Sequence, residues 1–507
     1  MRGKRPSAPA SVPPPEDLPP PPLQGLRDRT LSNVGVTAVW NLAARGLANL
    51  AGKVAIARLF LRSEVGTFEL ALGLIGLFGR VGDLGIGAAI VQRRADVERA
   101  YETGFVLRAG VLLLGALVVA AIAPFWARFY ETPILREMVW VLAAPYLFGA
   151  FAFVPGLRLY RDLRHGQLSF ANFFNQFVFL GVTVAGGLAG WGVWSFVAGM
   201  IAGLVTNWIV LLLLSPWRPR LRFDGKLAGE LIRFGKFVLG AQLLSYGIPL
   251  VDRLLIGKLL GTEEVATYAY AYAMGAMVAT EVAELISRAL LPAMAHRRED
   301  REALERGFRG ALRPMAVIAF PFGIGLAVVA PEFALGVFGE EWASVAAPMR
   351  ILAIFGIFLC FERVGEPVLH ALGIPSVVMR GRLAMLLVLA VGLVPGVLLA
   401  GLEGAAAAAT LSAAVAAAVA LGGVCAGLRL RPSSLLRDVL PPFLTAAGMG
   451  AGVWVVRELL LPTGTGPLAS LLVEGTLGAL LYAGLAWFAM PRTAREFVEI
   501  GRHFLRR

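Results

Sequence analysis

Cysteine, histidine and charged residues are all scarce in this chain. Its 507 residues include 2 cysteines and 4 histidines, and charged residues make up 16% of the sequence. Cys360 and Cys425 each lie inside an apolar run, and no residues have metal-ligand spacing, so we expect neither a disulfide nor a metal site. Soluble domains contain about 25% charged residues. The composition therefore argues against a soluble protein and against a metal centre.

Motifs for nucleotides and for secretion are missing as well. The segment GDLGIG (82–87) follows no strand, so it is not a nucleotide-binding loop, and no ATP-binding motif is present. We therefore expect no cofactor. Residues 1–30 are basic and proline-rich (PPPEDLPPPP), which is typical of a disordered tail, and no apolar segment with a cleavage site follows them. We expect the first membrane helix to be permanent.

Long apolar runs, in contrast, recur along the whole chain. The sequence is 57% hydrophobic, and its mean hydropathy is +0.72. These runs predict an all-α polytopic membrane protein with about fourteen transmembrane helices. Their approximate limits are 31–60, 65–91, 101–125, 138–157, 167–189, 193–214, 231–259, 265–293, 314–338, 345–371, 383–400, 404–427, 440–460 and 468–490.

The basic residues are distributed unequally between the two sets of loops. Alternate loops such as QRRADVERA (92–100) and WRPRLRFDGK (217–226) are rich in arginine, whereas the loops between them contain only Arg62, Arg128 and Arg136. Basic loops remain in the cytoplasm, so this pattern predicts that both termini are cytoplasmic. It also explains the net charge of +13 by contact with anionic membrane lipids. We therefore expect no nucleic-acid partner.

A segment of the chain occurs twice at a fixed offset. Residues 50–74, LAGKVAIARLFLRSEVGTFELALGL, align without a gap with residues 250–274, LVDRLLIGKLLGTEEVATYAYAYAM. Such self-similarity indicates a duplicated architecture. Six predicted spans separate the copies, and an even number preserves orientation, so the repeats are parallel. Positions that recur with the same character include Lys53 and Arg253, Arg58 and Lys258, and Phe68 and Tyr268.

This duplication divides the predicted membrane region into two parallel six-helix bundles and two further helices. The expected divisions are a disordered cytoplasmic tail (1–30), an N-terminal bundle (31–229), a C-terminal bundle (230–430), two peripheral transmembrane helices (431–490) and a basic amphipathic cytoplasmic tail (491–507).

The first, second, seventh and eighth predicted helices carry polar stripes inside the membrane. A charge at mid-membrane costs about 2.5–3.5 kcal/mol, so such residues face a partner or a cavity. We expect a watery cavity between the bundles, where cations favour an anionic substrate group and arginine suits phosphate. The candidate substrate-binding residues are Arg45, Lys53, Arg80 and Arg253, and the candidate ion-coupling or charge-balancing residues are Asp83, Asp252, Glu281 and Glu284.

The alternative is that these charges pair locally and only hold helices together. Ion pairs three or four residues apart stabilise a single helix without any cavity. Pairs with this spacing are Arg80 with Asp83 and Glu284 with Arg288, and the tenth span has the group Glu362, Arg363 and Glu366.

Three segments of the chain resemble a known family. The segments ARLFLRSEVGTFELALGL (57–74), GDLGIGAAIVQR (82–93) and PLVDRLLIGKLLGTEEVATYAYA (249–271) are similar to the polysaccharide transporters. These are the O-antigen and exopolysaccharide repeat-unit flippases of the multidrug/oligosaccharidyl-lipid/polysaccharide exporter superfamily. The resemblance implies two six-helix bundles arranged in a V. In this family a cation in helix one and an aspartate in helix two are commonly functional, and Arg45, Lys53 and Asp83 occupy such places.

The resemblance also implies a function. It suggests a flippase, not an enzyme, that moves an undecaprenyl-pyrophosphate-linked oligosaccharide across the bacterial inner membrane. Its partners would be that lipid, the surrounding membrane lipids and a coupling proton or sodium ion. A lipid II flippase and a multidrug/cation antiporter are alternatives with the same fold. An integral glycosyltransferase or polymerase is a further alternative, but such enzymes usually have a large external loop, and every predicted external loop here is short.

Overall fold

The computed structural model describes residues 48–93, 96–283, 294, 300–460 and 466–491. The described residues form helices joined by short turns, and no strand occurs among them. The candidate residues Arg45 and Glu284 lie outside the described residues, as do Arg288, the tail 1–30 and nearly all of 491–507. The helices are α1 (48–59), α2 (Arg62–Asp83), α3 (Ile86–Gln92), α4 (Val97–Phe129), α5 (Ile134–Arg161), α6 (His165–Leu188), α7 (Trp194–Leu214), α8 (Gly225–Leu259), α9 (Thr262–Gly275), α10 (Arg301–Val328), α11 (Ala330–Phe333), α12 (Ala346–Ala371), α13 (Pro375–Leu428), α14 (Pro432–Leu460) and α15 (Pro467–Ala489).

The prediction of an all-α multi-pass membrane protein is confirmed. Within the described ranges, 9 helices are long and apolar enough to cross a membrane, or 10 if the bent pair Ile134–Pro145 and Gly149–Arg161 forms one span. Many large apolar side chains on these helices, such as Leu114 and Phe125 of α4, are more than half exposed, as expected for a surface that faces lipid. The count of fourteen spans remains a prediction.

Helix α13 is two helices that fold back on each other. Its 54 residues would measure about 81 Å as one straight helix, against a hydrocarbon core of about 30 Å. The backbone breaks at Ala400 and at Gly401, whose φ of 55° lies in the left-handed region that glycine adopts without strain. The two parts agree with the predicted spans 383–400 and 404–427. They approach so closely that a Cβ on Gly404 would lie 1.8 Å from the carbonyl oxygen of Gly396.

Helix α8 connects the two halves of the molecule, which we define as α1–α7 and α8–α13. Near its start, Leu227 and Leu231 are buried in an apolar cluster of the first half with Ile86, Ile90 and Phe105. Farther along, α8 packs against α2, α9 and α13. Its 35 residues span about 52 Å, which is more than the hydrocarbon thickness. Helix α14 packs on α10, and α15 packs on α14.

The two ends of the helices differ in their charge. We call the end with the loops 162–164, 215–224 and 429–431 the basic end, because these loops and the residues next to them are rich in arginine. We call the opposite end the clasp end. It contains the turns 60–61 and 260–261, the loop 130–133 and the irregular segment Ala334–Val345, and contacts there join the two halves.

The tight contact in α13 leads to a stability prediction. Gly404→Ala would place a methyl group against the backbone of Gly396, so we expect a loss of about 1–3 kcal/mol and a lower melting temperature in detergent. Gly422→Ala lies on the same helix with nothing within 4 Å of the new methyl group. That control should melt at or above the wild-type temperature, because alanine favours the helix. Equal melting temperatures for both variants would contradict the close packing.

Candidate functional site

A polar seam runs between α1 and α2 of the first half and α8 and α9 of the second. At its centre, Nη1 of Arg253 donates to Oε2 of Glu69 over 2.9 Å. The side chains of Arg253 and Glu69 are 29% and 18% exposed, so the pair is largely shielded from solvent. Opposite charges strengthen such a hydrogen bond when little water is present. This ion pair therefore joins the halves at depth in the helical region.

Lys53 lies beside this ion pair, on α1. Its Nζ is 4.7 Å from the ring centroid of Tyr270, which is the geometry of a cation–π contact. The hydroxyl of Tyr270 donates to the carbonyl oxygen of Lys53 over 3.1 Å. The charges of Glu69 and Arg253 both act on Lys53. Two cations of the seam thus share one acid, Glu69, and the charge of Asp252 acts on Arg253 as well.

Arg80 lies nearer to the basic end of the seam. It is exposed, and its guanidinium carbon is 5.6 Å from the ring centroid of Tyr246. The hydroxyl of Tyr246 donates to the carbonyl oxygen of Leu72 over 3.3 Å, and its ring lies within the electrostatic range of Arg253. The structure therefore places Lys53 beside Arg253 and leaves Arg80 farther along the seam, next to Tyr246.

The predicted ion-coupling acids take no part in the ion pair at the centre of the seam. Asp252 is 2% exposed, and its Oδ2 accepts a hydrogen bond from the hydroxyl of Tyr268 over 2.8 Å. Asp83 accepts from Nη1 of Arg108 over 2.5 Å. Glu281 is half-buried in the single π-helical turn Ala279–Ala283 that follows α9. These acids are in three separate environments.

The candidate local pair of Arg80 with Asp83 does not form. Asp83 binds Arg108 of the neighbouring helix α4, and Arg80 contacts Tyr246 instead of Asp83. In α12, Glu366 binds Arg382, which comes from the following helix α13, over 3.0 Å. Arg382 also lies 3.9 Å from Glu362. Asp83 and Glu366 therefore each bind an arginine from a neighbouring helix, which sequence spacing does not identify.

At the clasp end, the two halves bind each other through equivalent residues of the repeat. Arg58 of the first half donates to the carbonyl oxygens of Val337 over 3.1 Å and of Gly336 over 2.6 Å, both in the second half. Its counterpart Lys258 of the second half donates to the carbonyl oxygen of Phe129 in the first half over 2.8 Å. Each cation thus binds carbonyls at the end of a helical segment, where they lack helical partners.

Two aromatic residues add a second reciprocal pair of bonds. The indole Nε1 of Trp342 in the second half donates to the carbonyl oxygen of Ala57 over 2.9 Å. The hydroxyl of Tyr130 in the first half donates to the carbonyl oxygen of Leu254 over 3.1 Å. Ala57 and Leu254 lie on the two copies of the repeat. We call the bonds of Arg58, Lys258, Trp342 and Tyr130 the reciprocal clasp.

An ion pair lies beside the reciprocal clasp. Arg62 binds Glu263 over 3.1 Å and the hydroxyl of Ser344 over 2.8 Å. Burial raises the pKa of the neighbouring Glu264 carboxyl, and the positive charge of Arg62 opposes this shift. A Cβ on Gly66 would lie 1.7 Å from the carbonyl oxygen of Thr262, so α2 and α9 are in backbone contact here. The clasp end is therefore closed between these helices.

Several residues of the site were not among the sequence-based candidates. Glu69 lies on the second predicted helix and is not among the candidates, yet it is the partner of Arg253. Arg58 and Lys258 recur in the repeat with their charge, which could have indicated their equivalent roles. The recurrence of Phe68 as Tyr268 likewise signalled a hydroxyl gained by the second copy, and this hydroxyl binds Asp252. No sequence feature identified Arg108.

Comparison with known sequences identifies relatives of the chain. The model of a family described as polysaccharide biosynthesis protein matches residues 55–347. The teichuronic acid biosynthesis protein TuaB of Bacillus subtilis is 25% identical over 429 residues, covering 83% of this chain and 87% of that protein. The lipopolysaccharide biosynthesis protein WzxC of Escherichia coli is 25% identical over 356 residues, covering 68% and 69%. The succinoglycan biosynthesis transport protein ExoT of Rhizobium meliloti is 23% identical, covering 64% and 65%.

Comparison with solved structures identifies the fold. The lipid II flippase MurJ in an inward closed conformation superposes with a TM-score of 0.74 at 12% identity, covering 91% of this chain and 99% of that one. An inward-facing multidrug resistance MATE family transporter of the MOP superfamily superposes with a TM-score of 0.60 at 18% identity, covering 77% and 95%. The predicted fold, similar to that of this superfamily, is confirmed.

The ion pair between Glu69 and Arg253 leads to the prediction for this site. Glu69→Gln removes the acid and leaves Arg253 without its counter-charge, so the melting temperature should fall. Arg253→Gln should lower it as well. In the double variant the loss should be smaller than the sum of the two, with a coupling of about 0.5–3 kcal/mol. Strictly additive losses in a denaturation assay would show that the two side chains do not interact.

Proposed function

The chain belongs to the polysaccharide biosynthesis protein family, and we propose that it is a flippase for a lipid-linked oligosaccharide. The carrier lipid is an undecaprenyl pyrophosphate, and the membrane is the bacterial inner membrane. The names of the relatives support this function, because they refer to the biosynthesis of teichuronic acid, lipopolysaccharide and succinoglycan. The succinoglycan protein is named as a transport protein. The observation that carries the proposal is the family match over residues 55–347.

The polar seam supplies the binding site for the pyrophosphate. Arg45, Lys53, Arg80 and Arg253 bind the anionic head of the substrate in this proposal. Lys53 and Arg253 share Glu69, so a pyrophosphate can take the place of Glu69 as their common counter-charge. Arg80, which is exposed towards the basic end, makes the first contact with the substrate. The guanidinium groups bind phosphate oxygens in a bidentate manner.

In the proposed alternating-access cycle, the orientation of the protein decides which end of the seam opens to the cytoplasm and which to the periplasm. The basic end faces the cytoplasm in this proposal, so both termini are cytoplasmic and the reciprocal clasp is at the periplasmic side. The bundles 31–229 and 230–430 move against each other, while helices 431–490 remain peripheral and the tails 1–30 and 491–507 stay in the cytoplasm. The substrate binds while the clasp is closed, and it leaves to the outer leaflet when the clasp opens.

The acids have different roles in this mechanism. Asp83 already has a cationic partner in Arg108, which favours charge balance for this residue. Asp252 is buried with a neutral partner, Tyr268, so Asp252 is a better candidate for binding the coupling proton or sodium ion. Glu281 and Glu284 follow α9 and complete the set of candidate coupling or balancing residues. The absence of an ATP-binding motif in the sequence is consistent with such coupling.

Of the alternatives, the lipid II flippase has the most similar chemistry, since it also moves a lipid pyrophosphate. The fold similarity to MurJ does not favour that substrate, because it extends to a multidrug transporter as well. The polysaccharide-related names of three relatives favour the oligosaccharide substrate. The relatives and structural neighbours that are named by activity are transporters or flippases, which argues against a glycosyltransferase.

Binding of a pyrophosphate-linked lipid by the purified protein tests the site. Lys53→Ala and Arg253→Ala should weaken binding of this lipid much more than binding of an uncharged analogue. Glu69→Gln should tighten it, because Arg253 is then free to bind the phosphate. Arg128→Ala, an exposed residue of the clasp end, serves as the control. Equal losses for the charged and neutral lipids in folded variants would reject the anion site.

A cross-link at the clasp end tests the transport cycle. Cysteines at Arg62 and Glu263, in a chain with Cys360→Ala and Cys425→Ala, would be joined by a short thiol-specific cross-linker. We expect the cross-link to stop lipid flipping in proteoliposomes while pyrophosphate-lipid binding persists, and cleavage of the linker should restore flipping. The same cross-linker reacted with only one of the two cysteines should leave transport intact. Full transport by the cross-linked protein would show that the clasp does not open.

A further inference from the structure

A groove at the clasp end, remote from the polar seam, has the features of a lipid-binding site. It lies between α10, α12 and α14 and has a volume of about 750 Å³. Ile324 and Val328 of α10, Arg350 of α12, and Phe443 and Trp454 of α14 line it. Phe443 and Trp454 are 41% and 56% exposed, so the groove opens on the lipid-facing side of the helices. In a bilayer such an opening is filled by a lipid.

The depth of the groove matches one leaflet. Phe443 and Glu458, both on α14, mark its two ends and are fifteen residues apart, or about 22 Å along the helix. Half of a bilayer, including the headgroup region, is about 20–22 Å thick. Between these ends the wall of α14 is formed by small residues, Ala447, Gly450 and Ala451. The groove can therefore take one acyl chain along its length, with the headgroup near Arg457.

Arg350 distinguishes this groove from an ordinary apolar surface. Three other basic residues at the clasp end have partners. Arg58 binds two carbonyl oxygens, Arg62 binds Glu263, and Arg457 binds Glu332 over 2.8 Å. Arg350 is exposed and has no ion-pair or hydrogen-bond partner in the part of the chain that the structure describes. A charge at this depth requires a counter-ion, and its position on the groove places that counter-ion in a lipid headgroup.

We propose that this groove binds a resident glycerophospholipid of the bilayer, with its phosphate on Arg350. Arg350 is the cation of this lining that forms no ion pair among the described residues, which suits a lipid with a single phosphodiester. Arg457 is held by Glu332, which makes Arg350 the phosphate ligand. Trp454 lies at the level of the headgroups, where tryptophan is favoured. The transported lipid is a different ligand, because its proposed cations are on α1, α2 and α8.

Native mass spectrometry of the full chain, released from detergent with added phosphatidylglycerol or diacylglycerol, tests the site. We expect the wild-type protein to retain phosphatidylglycerol in preference to diacylglycerol, which has the same chains but no phosphate. Arg350→Gln should weaken retention of phosphatidylglycerol about tenfold, the effect of losing one charge-assisted hydrogen bond. Arg128→Gln removes another exposed arginine of the clasp end that has no partner among the described residues. This control should retain the lipid as the wild type does.

A second variant tests the groove itself. Ala451→Phe places a large side chain in the groove from an exposed position and should reduce retention of both lipids, with the melting temperature confirming that it folds. Equal retention of phosphatidylglycerol by Arg350→Gln and the wild type would overturn the proposal. It would also be overturned if polyprenyl pyrophosphate displaced phosphatidylglycerol in the wild type but not in Arg350→Gln, since the groove would then hold the carrier lipid. Neither result would affect the proposed flippase function.

Discussion

The cost of an unpaired charge in the membrane governs how the helices of this protein are arranged. An isolated charge at mid-membrane costs about 2.5–3.5 kcal/mol, and the structure avoids this cost by pairing charges between neighbouring helices. Glu69 of α2 binds Arg253 of α8, and Asp83 of α2 binds Arg108 of α4. The first pair joins the two halves and the second lies within one half. Helix α2 is consequently held on two sides by ion pairs.

The duplication of the chain explains why the contacts at the clasp end are reciprocal. Arg58 and Lys258 occupy the same position in the two copies, and each binds carbonyl oxygens in the opposite half. Two related halves that face each other present the same donors to the same kind of acceptor, so one favourable contact occurs twice. We expect the bonds of the reciprocal clasp to form and break together, which suits a protein whose two halves are proposed to move as rigid bundles.

The polar seam and the groove between α10, α12 and α14 balance their cations in two different ways. In the seam, Lys53 and Arg253 share Glu69, and a transient substrate can replace this acid as their counter-charge. In the groove, Arg350 forms no ion pair among the described residues, and a lipid headgroup can supply a counter-charge continuously. Both sites use arginine for phosphate. They differ in location, because the seam lies between the halves and the groove faces lipid.

The sequence alone determined the membrane-spanning helical fold, the duplication and the positions of the intramembrane cations, because these depend on hydrophobic length, local similarity and residue identity. It also placed the break in α13 near Gly401. Only the tertiary structure decided which charges pair. Sequence spacing favoured Arg80 for Asp83, but Arg108 from another helix is the partner. The choice depends on how each helix is rotated about its axis and which neighbour it meets, and these are properties of packing that spacing along one chain does not encode.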